Sequence, residues 1–248
     1  MYGDPQLEAL LDPAKLDGTS YMHDGKYVLT WQMCPRSSFE MIAGISEKAP
    51  DIPTGKWGIR ANPEEIQDRF SHFCPQISAL LKHIGGTTKW NIVDLPALET
   101  WRSPNGRIVL AGDAAHAMTP HAAAGSSSAI EDAAVLAETL TWAFQHGKSV
   151  GDATEWYEQI RKPRVTRLQE ISRDFCDFLG ASGEAAKARD TMLRELDREM
   201  WETLRIPEEE RKKMPKPEPD MMAPFPAEWI YGYDAMQEVS IFWKIICL

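Results

Sequence analysis

The residues able to do chemistry are concentrated in one run, 107–133, RIVLAGDAAHAMTPHAAAGSSSAIEDA. Its apolar start, 107–111, reads as a short buried strand ending at Gly112, where the missing Cβ lets the backbone turn and a ligand approach. Asp113 then stands just past the carboxyl end of that strand, the place where open α/β sheets bind ligands. A carboxylate there accepts well from ligand hydroxyls, and Ala114 and Ala115 leave room beside it. Pro120 stiffens the loop. Gly125 precedes a helix whose first amides are unpaired and carry about half a positive charge. Such an end holds an anion, or a carbonyl that becomes anionic.

The same residues have plainer roles. Asp113 also suits a turn carboxylate, and Ser126, Ser127 and Ser128 suit simple N-capping. His116 and His121 could serve as metal ligands or a base, but packing behind the loop is the simpler role for His116. Glu131 and Asp132 fall in the first turns of the helix, where acids favour the dipole in any case. A hydrolase triad of Asp113, His116 and Ser126 fails on context, because Gly125-Ser126-Ser127-Ser128-Ala129 lacks the G-x-S-x-G elbow. Arg161, Lys162, Arg164 and Arg167 form a basic cluster that reads as a solvated helix face, with a nucleotide phosphate as the sharper alternative. Trp31, Phe39 and Met41 suit either a pocket wall or a core.

The elements around this run follow from pattern. Lys26–Met33 is β-rich, with Tyr27, Leu29 and Trp31 on one face and Val28, Thr30 and Gln32 on the other. The Asp24-Gly25 pair before it is a hairpin signal. Ser38–Ile45 follows Pro35-Arg36-Ser37 and completes an antiparallel pair with at least one buried face. Asn62 caps a helix that starts at Pro63 and carries Ile66, Phe70 and Phe73; a second covers 75–84. A further strand is expected at 89–94. Asn105-Gly106 makes a tight turn, 107–111 a strand, and 126–145 a helix facing the core with Ile130, Ala133, Ala134, Ala137, Leu140 and Phe144. Strand, loop and helix in that order are half of a βαβ unit. Asp152 caps a helix expected to break near Pro163. Residues 184–204 form an amphipathic helix with Met192, Leu196, Met200 and Leu204 inward. Residues 213–226 hold five prolines and make an extended connector, and 230–248 dock on the body.

Composition narrows the classes. Lys+Arg 27 against Asp+Glu 37 gives a net charge of −10 over 248 residues, spread evenly, so no basic footprint for nucleic acid exists. No apolar run spans a bilayer. The start has no basic-then-apolar pattern, so no signal peptide is expected. Cys34, Cys74, Cys176 and Cys247 lie far apart and form neither a metal motif nor a disulfide framework. Free thiols imply a reducing compartment, and a cytoplasmic location is expected.

The blocks Gly112-Asp113-Ala114-Ala115-His116, Pro120, Gly125 and Ala129-Ile130-Glu131-Asp132-Ala133 resemble the second flavin-binding motif of the class A FAD-dependent monooxygenases, the salicylate- and 4-hydroxybenzoate-hydroxylase type. Trp101-Arg102-Ser103-Pro104-Asn105-Gly106-Arg107 and Tyr157-Glu158-Gln159-Ile160-Arg161-Lys162-Pro163-Arg164 are similar to the family as well. The resemblance implies FAD as cofactor. It assigns Asp113 to the ribityl chain and the amides of Gly125, Ser126 and Ser127 to the pyrimidine side of the isoalloxazine, with Gly112 and Pro120 shaping the same site. It implies no universal acid–base residue, so no catalytic side chain is named. The chain departs from the pattern at Ala117, where the family has proline, and at Ala123-Ala124-Gly125. It also carries no G-x-G-x-x-G after a strand, so it is expected to correspond to the C-terminal portion of such an enzyme.

The expected fold is α/β (α+β): a partial FAD/NAD(P)-binding Rossmann-type layer, an antiparallel substrate-domain sheet and a helical C-terminus. The expected divisions are 1–94 for the substrate-domain-like sheet, 95–180 for the FAD-binding remnant and 181–248 for a helical, Pro-rich extension. Two functions stand. In the first, an FAD-dependent monooxygenase uses O2 and NAD(P)H to hydroxylate an aromatic or polyketide-like small molecule, in secondary metabolism and with room for a homodimer. In the second, a flavin-free cyclase, isomerase or inactive scaffold uses the same cavity.

Overall fold

The computed structural model describes residues 18–33, 38–47, 53, 55–211 and 226–246. These separate into two units. One draws on the stretch ending at Asn91 together with Asp177–Met214, the other on Ile92–Cys176 and Pro215–Leu248.

In the first unit, strands β1 (Thr19–His23), β2 (Lys26–Met33) and β3 (Ser38–Ile45) form an antiparallel sheet in that order. Asp24-Gly25 makes the expected hairpin turn, with His23 opposite Lys26. A second antiparallel pair joins β4 (Gly58–Ala61) to β5 (Thr87–Trp90), so the strand expected at 89–94 starts earlier and is shorter. Helix α1 (Pro63–Arg69) starts where Asn62 Oδ1 accepts from the Glu64 amide, and α2 (Pro75–Leu81) follows. Val28, Phe70, Ile77, Leu80 and Leu81 close a core between the sheet and these helices.

Helix α6 (Gly183–Leu204) and the short α7 (Glu208–Arg211) belong to the same unit. The inward line expected on α6 is corrected at Leu196, which is 49% exposed. Among its described side chains the buried ones are Ala186 and Arg189, and the Arg189 guanidinium turns in to donate to the carbonyls of Phe178 and Leu179. Those carbonyls end a helix and would otherwise lack donors. The side chains of Met200, Leu204 and Phe39 lie outside the described residues, as do Cys34, the turn 35–37, Cys247 and residues 213–225 of the expected connector.

The second unit is built on helices α3 (Asp113–His116), α4 (Gly125–Gln145), α5 (Val150–Leu179, of which residues to Cys176 lie here), α8 (Ala227–Tyr231) and α9 (Ala235–Ile246). Trp101, Ala115, Val135, Tyr157, Val165 and Val239 form one core; Ala122, Ala124, Leu168, Ile171 and Ile230 form another. The C-terminal segment thus docks as expected.

Four expectations change here. Residues 107–111 are not a ladder strand: the chain reverses at Gly106 (φ +66°), and Leu110 donates to the Trp101 carbonyl at 2.7 Å around the single bridge Arg102–Val109. With no flanking strand in the described residues, Ile108 is 69% exposed. Helix α4 buries Ser128, Asp132, Val135, Thr139 and Ala143 instead of the apolar line, leaving Ile130 and Phe144 exposed. A buried ion pair at Asp132 selects that face. Helix α5 runs unbroken through Pro163, since burial of Tyr157, Val165 and Leu168 on either side outweighs the lost hydrogen bond. Its start is a reciprocal cap in which Asp152 accepts from the Ser149 amide at 2.8 Å and Ser149 Oγ accepts from the Asp152 amide at 3.1 Å. Ser149, not Asp152, is therefore the cap residue. No described helix is long and apolar enough to cross a membrane.

Candidate functional site

A cavity of about 490 Å³ lies within the second unit. Asp113 forms one side and the α4 start, Gly125 and Ser126, another. Pro120, Ala123, Ala124 and Ala129 supply short, mostly apolar walls.

Gly112 sets the direction of the first wall. It takes φ +58°, where a side chain is strained, and an added Cβ would meet Ala129 Cβ at 3.3 Å. Its carbonyl accepts from the amides of Ala115 and His116 at 2.9 and 3.0 Å, which closes the single turn of α3. Asp113 opens that turn with its side chain exposed to the cavity. The loop beyond is fixed from several directions. Gln169 Nε2 donates to the Ala117 carbonyl at 3.1 Å, Thr119 Oγ1 meets Ser172 Oγ at 2.7 Å, and Tyr231 donates to the Ala122 carbonyl at 3.0 Å. Ala123 then adopts φ +48°, the single described non-glycine residue in the left-handed region.

The second wall is an uncapped helix end. No side chain bonds the first amides of α4, and the first ladder bond is Ser128 to the Ala124 carbonyl at 2.9 Å. N-capping by the serines is thereby corrected: Ser127 Oγ donates to the Ala124 carbonyl, and Ser128 is buried. The amides of Gly125, Ser126 and Ser127 remain for a ligand. Of the residues singled out by sequence, Asp113, Pro120, Gly125 and Ser126 line the cavity, while Gly112 and Ser127 sit beside it.

Behind the cavity lies a network that sequence reasoning missed. Asp132, wholly buried, accepts from the Gly112 amide at 2.9 Å, His116 Nε2 at 2.6 Å and Arg161 Nε at 2.8 Å. Burial pushes its carboxyl up, but those three hydrogen bonds and the Arg161 charge outweigh this and hold it below the usual range. Burial likewise works against the Arg161 guanidinium, and its bond to Asp132 with the charges of Asp132 and Glu131 still raises it. Arg164 bonds the Trp229 and Ile230 carbonyls and lies 3.6 Å from the Tyr233 ring centroid. The expected solvated basic face is therefore wrong for Arg161 and Arg164, both buried; Arg167 and Lys162 keep partial exposure. His116 packs at 5.4 Å from the Trp101 ring, and the described residues hold no group of three potential metal ligands.

A family described as FAD binding domain matches residues 4–172. The chain belongs to the FAD-binding domain family. The relatives of this family member are FAD-dependent monooxygenases, as the sequence blocks implied. The FAD-dependent monooxygenase OpS4 of Beauveria bassiana is 30% identical over 187 residues, which is 75% of this chain and 40% of that protein. Salicylate hydroxylase of Pseudomonas putida is 32% identical over 171 residues, 67% of this chain and 37% of that protein. Among solved structures, a salicylate hydroxylase substrate complex superposes with a TM-score of 0.64 at 25% identity, covering 95% of this chain and 53% of the other. The FAD-binding chain thus spans about half or less of the length of the relatives it matches.

FAD is the cofactor of the family, and the residues present fit part of it. The cavity offers one unpaired carboxylate for a polyol and one uncapped helix start for a ring edge that gains negative charge. Its volume suits a ring and its arm within the usual range of ligand pockets.

Proposed function

We propose that this chain holds the isoalloxazine and ribityl part of FAD and works as a monooxygenase that hydroxylates an aromatic or polyketide-like small molecule with O2 and NAD(P)H. One observation carries the reading: Asp113 and the uncapped start of α4 border the same cavity. When bound, FAD supplies the redox chemistry that activates oxygen.

The chain's own residues bind and orient. Asp113 accepts from a ribityl hydroxyl, a charge-assisted bond stronger than a neutral one. The amides of Gly125, Ser126 and Ser127, with the dipole behind them, favour negative charge on the nearby ring edge. Ala123, Ala124 and Ala129, short apolar side chains on the wall, admit a flat ring at close range. Relatives named salicylate hydroxylase and 6-hydroxynicotinate 3-monooxygenase support an aromatic substrate. Cys74 and Cys176 form no disulfide among the described residues, which suits the reducing cytoplasm.

The experiment is a titration of the purified chain with FAD, followed by NADH or NADPH oxidation with and without a phenol. The reading expects flavin fluorescence to quench on binding, and the phenol to gain one oxygen atom by mass spectrometry. A colourless chain that binds no FAD yet turns over substrate without a reductant contradicts it.

A further inference from the structure

We propose that Asp132 is the positioning residue for the carboxylate of Asp113, acting through Gly112. The inference deepens the FAD reading and rests on it for what Asp113 holds.

Asp132 does not line the cavity; it grips the element that does. Its Oδ2 takes the amide of Gly112 at 2.9 Å and the ring of His116 at 2.6 Å. These are the residue before α3 and the last residue of α3, so one oxygen holds both ends of the turn that Asp113 begins. A single helical turn has no stability of its own, since nucleation fixes many dihedrals for one hydrogen bond. The grip must come from outside. The other ring nitrogen of His116, Nδ1, is buried without a hydrogen-bond partner, so Asp132 supplies that side chain's one polar anchor.

The anchor itself cannot swing. Arg161 Nε holds Oδ1 at 2.8 Å, and Arg161 Nη2 reaches Glu131 at 2.7 Å. A Cβ added at Gly112 would press on Ala129 Cβ at 3.3 Å, so a side chain there would have to push α4 and the turn apart. Ala129, on the cavity wall, and the buried Asp132 both belong to α4, the helix whose start forms the facing wall. One rigid helix therefore sets the separation between the acceptor at Asp113 and the donors at Gly125 and Ser126. Tolerances of this kind are tight in ligand sites. Glu131 shares Arg161 and Arg164 but touches neither Gly112 nor His116, which makes it the control for a purely structural role.

The test uses the full chain as wild type, Asp132→Asn, Glu131→Gln, His116→Asn, Asp113→Ala and the Asp113→Ala/Asp132→Asn double variant. Hydrogen exchange of amides 112–117 is measured without ligand, and FAD dissociation constants come from fluorescence quenching. Asp132→Asn should speed exchange at 112–117 by roughly tenfold, the factor carried by one buried hydrogen bond. Glu131→Gln should change it by less than about threefold even where its melting point falls. FAD should bind roughly tenfold more weakly to Asp132→Asn, and this effect should vanish in the Asp113→Ala background, the mark of two residues acting as a unit. Should Asp132→Asn fail to fold, His116→Asn carries the same expectation for exchange. Wild-type exchange at 112–117 in these variants, or an undiminished Asp132→Asn effect in the double variant, overturns the proposal. A wild-type chain that binds no FAD overturns the FAD reading, while the exchange rates still decide the positioning role.

Discussion

Arg161 Nε donates to Asp132 Oδ1 at 2.8 Å with both side chains wholly buried, and the bond ties α5 to α4 behind the cavity. Burying two charges is costly, so the pair contributes through its geometry and its further hydrogen bonds rather than through attraction alone.

Removing one partner strands the other. Arg161→Ala should lower unfolding free energy by about 3–5 kcal/mol, the usual result of leaving a buried charge unpaired. Urea denaturation checks it. A loss under about 1 kcal/mol would mean that water or a neighbour replaces the guanidinium.

The same pair sets an acid limb. The folded carboxyl of Asp132 lies below its unfolded value, so its contribution is complete above about pH 4 and fades as pH falls toward the folded value. In melting curves taken from neutral pH downward, the gap between wild type and Asp132→Asn should be widest near neutrality and close below about pH 4. A gap independent of pH would contradict this.

The legible parts of the molecule were those fixed by local chemistry. Asn62 before Pro63, the Asp24-Gly25 turn and the antiparallel pairing of β2 with β3 are decided by residues close in sequence, and each formed as read. The cavity residues Asp113, Pro120, Gly125 and Ser126 were visible because loop and helix start are contiguous in sequence. The errors arose from long-range partners. Periodicity placed Ile130 and Phe144 inward, but the buried face of α4 is chosen by Arg161, which lies 29 positions from Asp132. The segment 107–111 has strand composition, and composition does not supply the neighbouring strand a ladder needs.

Ala123 holds φ +48° on the cavity wall, a conformation that costs an alanine about 1–2 kcal/mol. Ala123→Gly should relieve this, and the greater freedom of the unfolded glycine offsets part of the gain. The expected net is a stabilisation of about 0.5–1 kcal/mol in thermal denaturation. A destabilised variant would show that the left-handed turn carries no strain.

Arg164 joins α5 to the C-terminal helices by two carbonyl bonds and a ring stack at 3.6 Å. Lysine keeps the charge and loses the planar fork. Arg164→Lys should cost about 2 kcal/mol and make 226–246 the first segment cleaved in limited proteolysis. Cleavage at the wild-type rate would place the clamp elsewhere.

The most direct measurement compares the FAD affinity of wild type and Asp113→Ala by fluorescence quenching, with melting points taken on the same samples. Asp113 is exposed, so stability should shift by less than about 0.5 kcal/mol. FAD should bind more weakly by about 10- to 100-fold, the range for one hydrogen bond to a charged group. Equal affinities in two equally stable proteins would contradict the assignment of this cavity to the flavin.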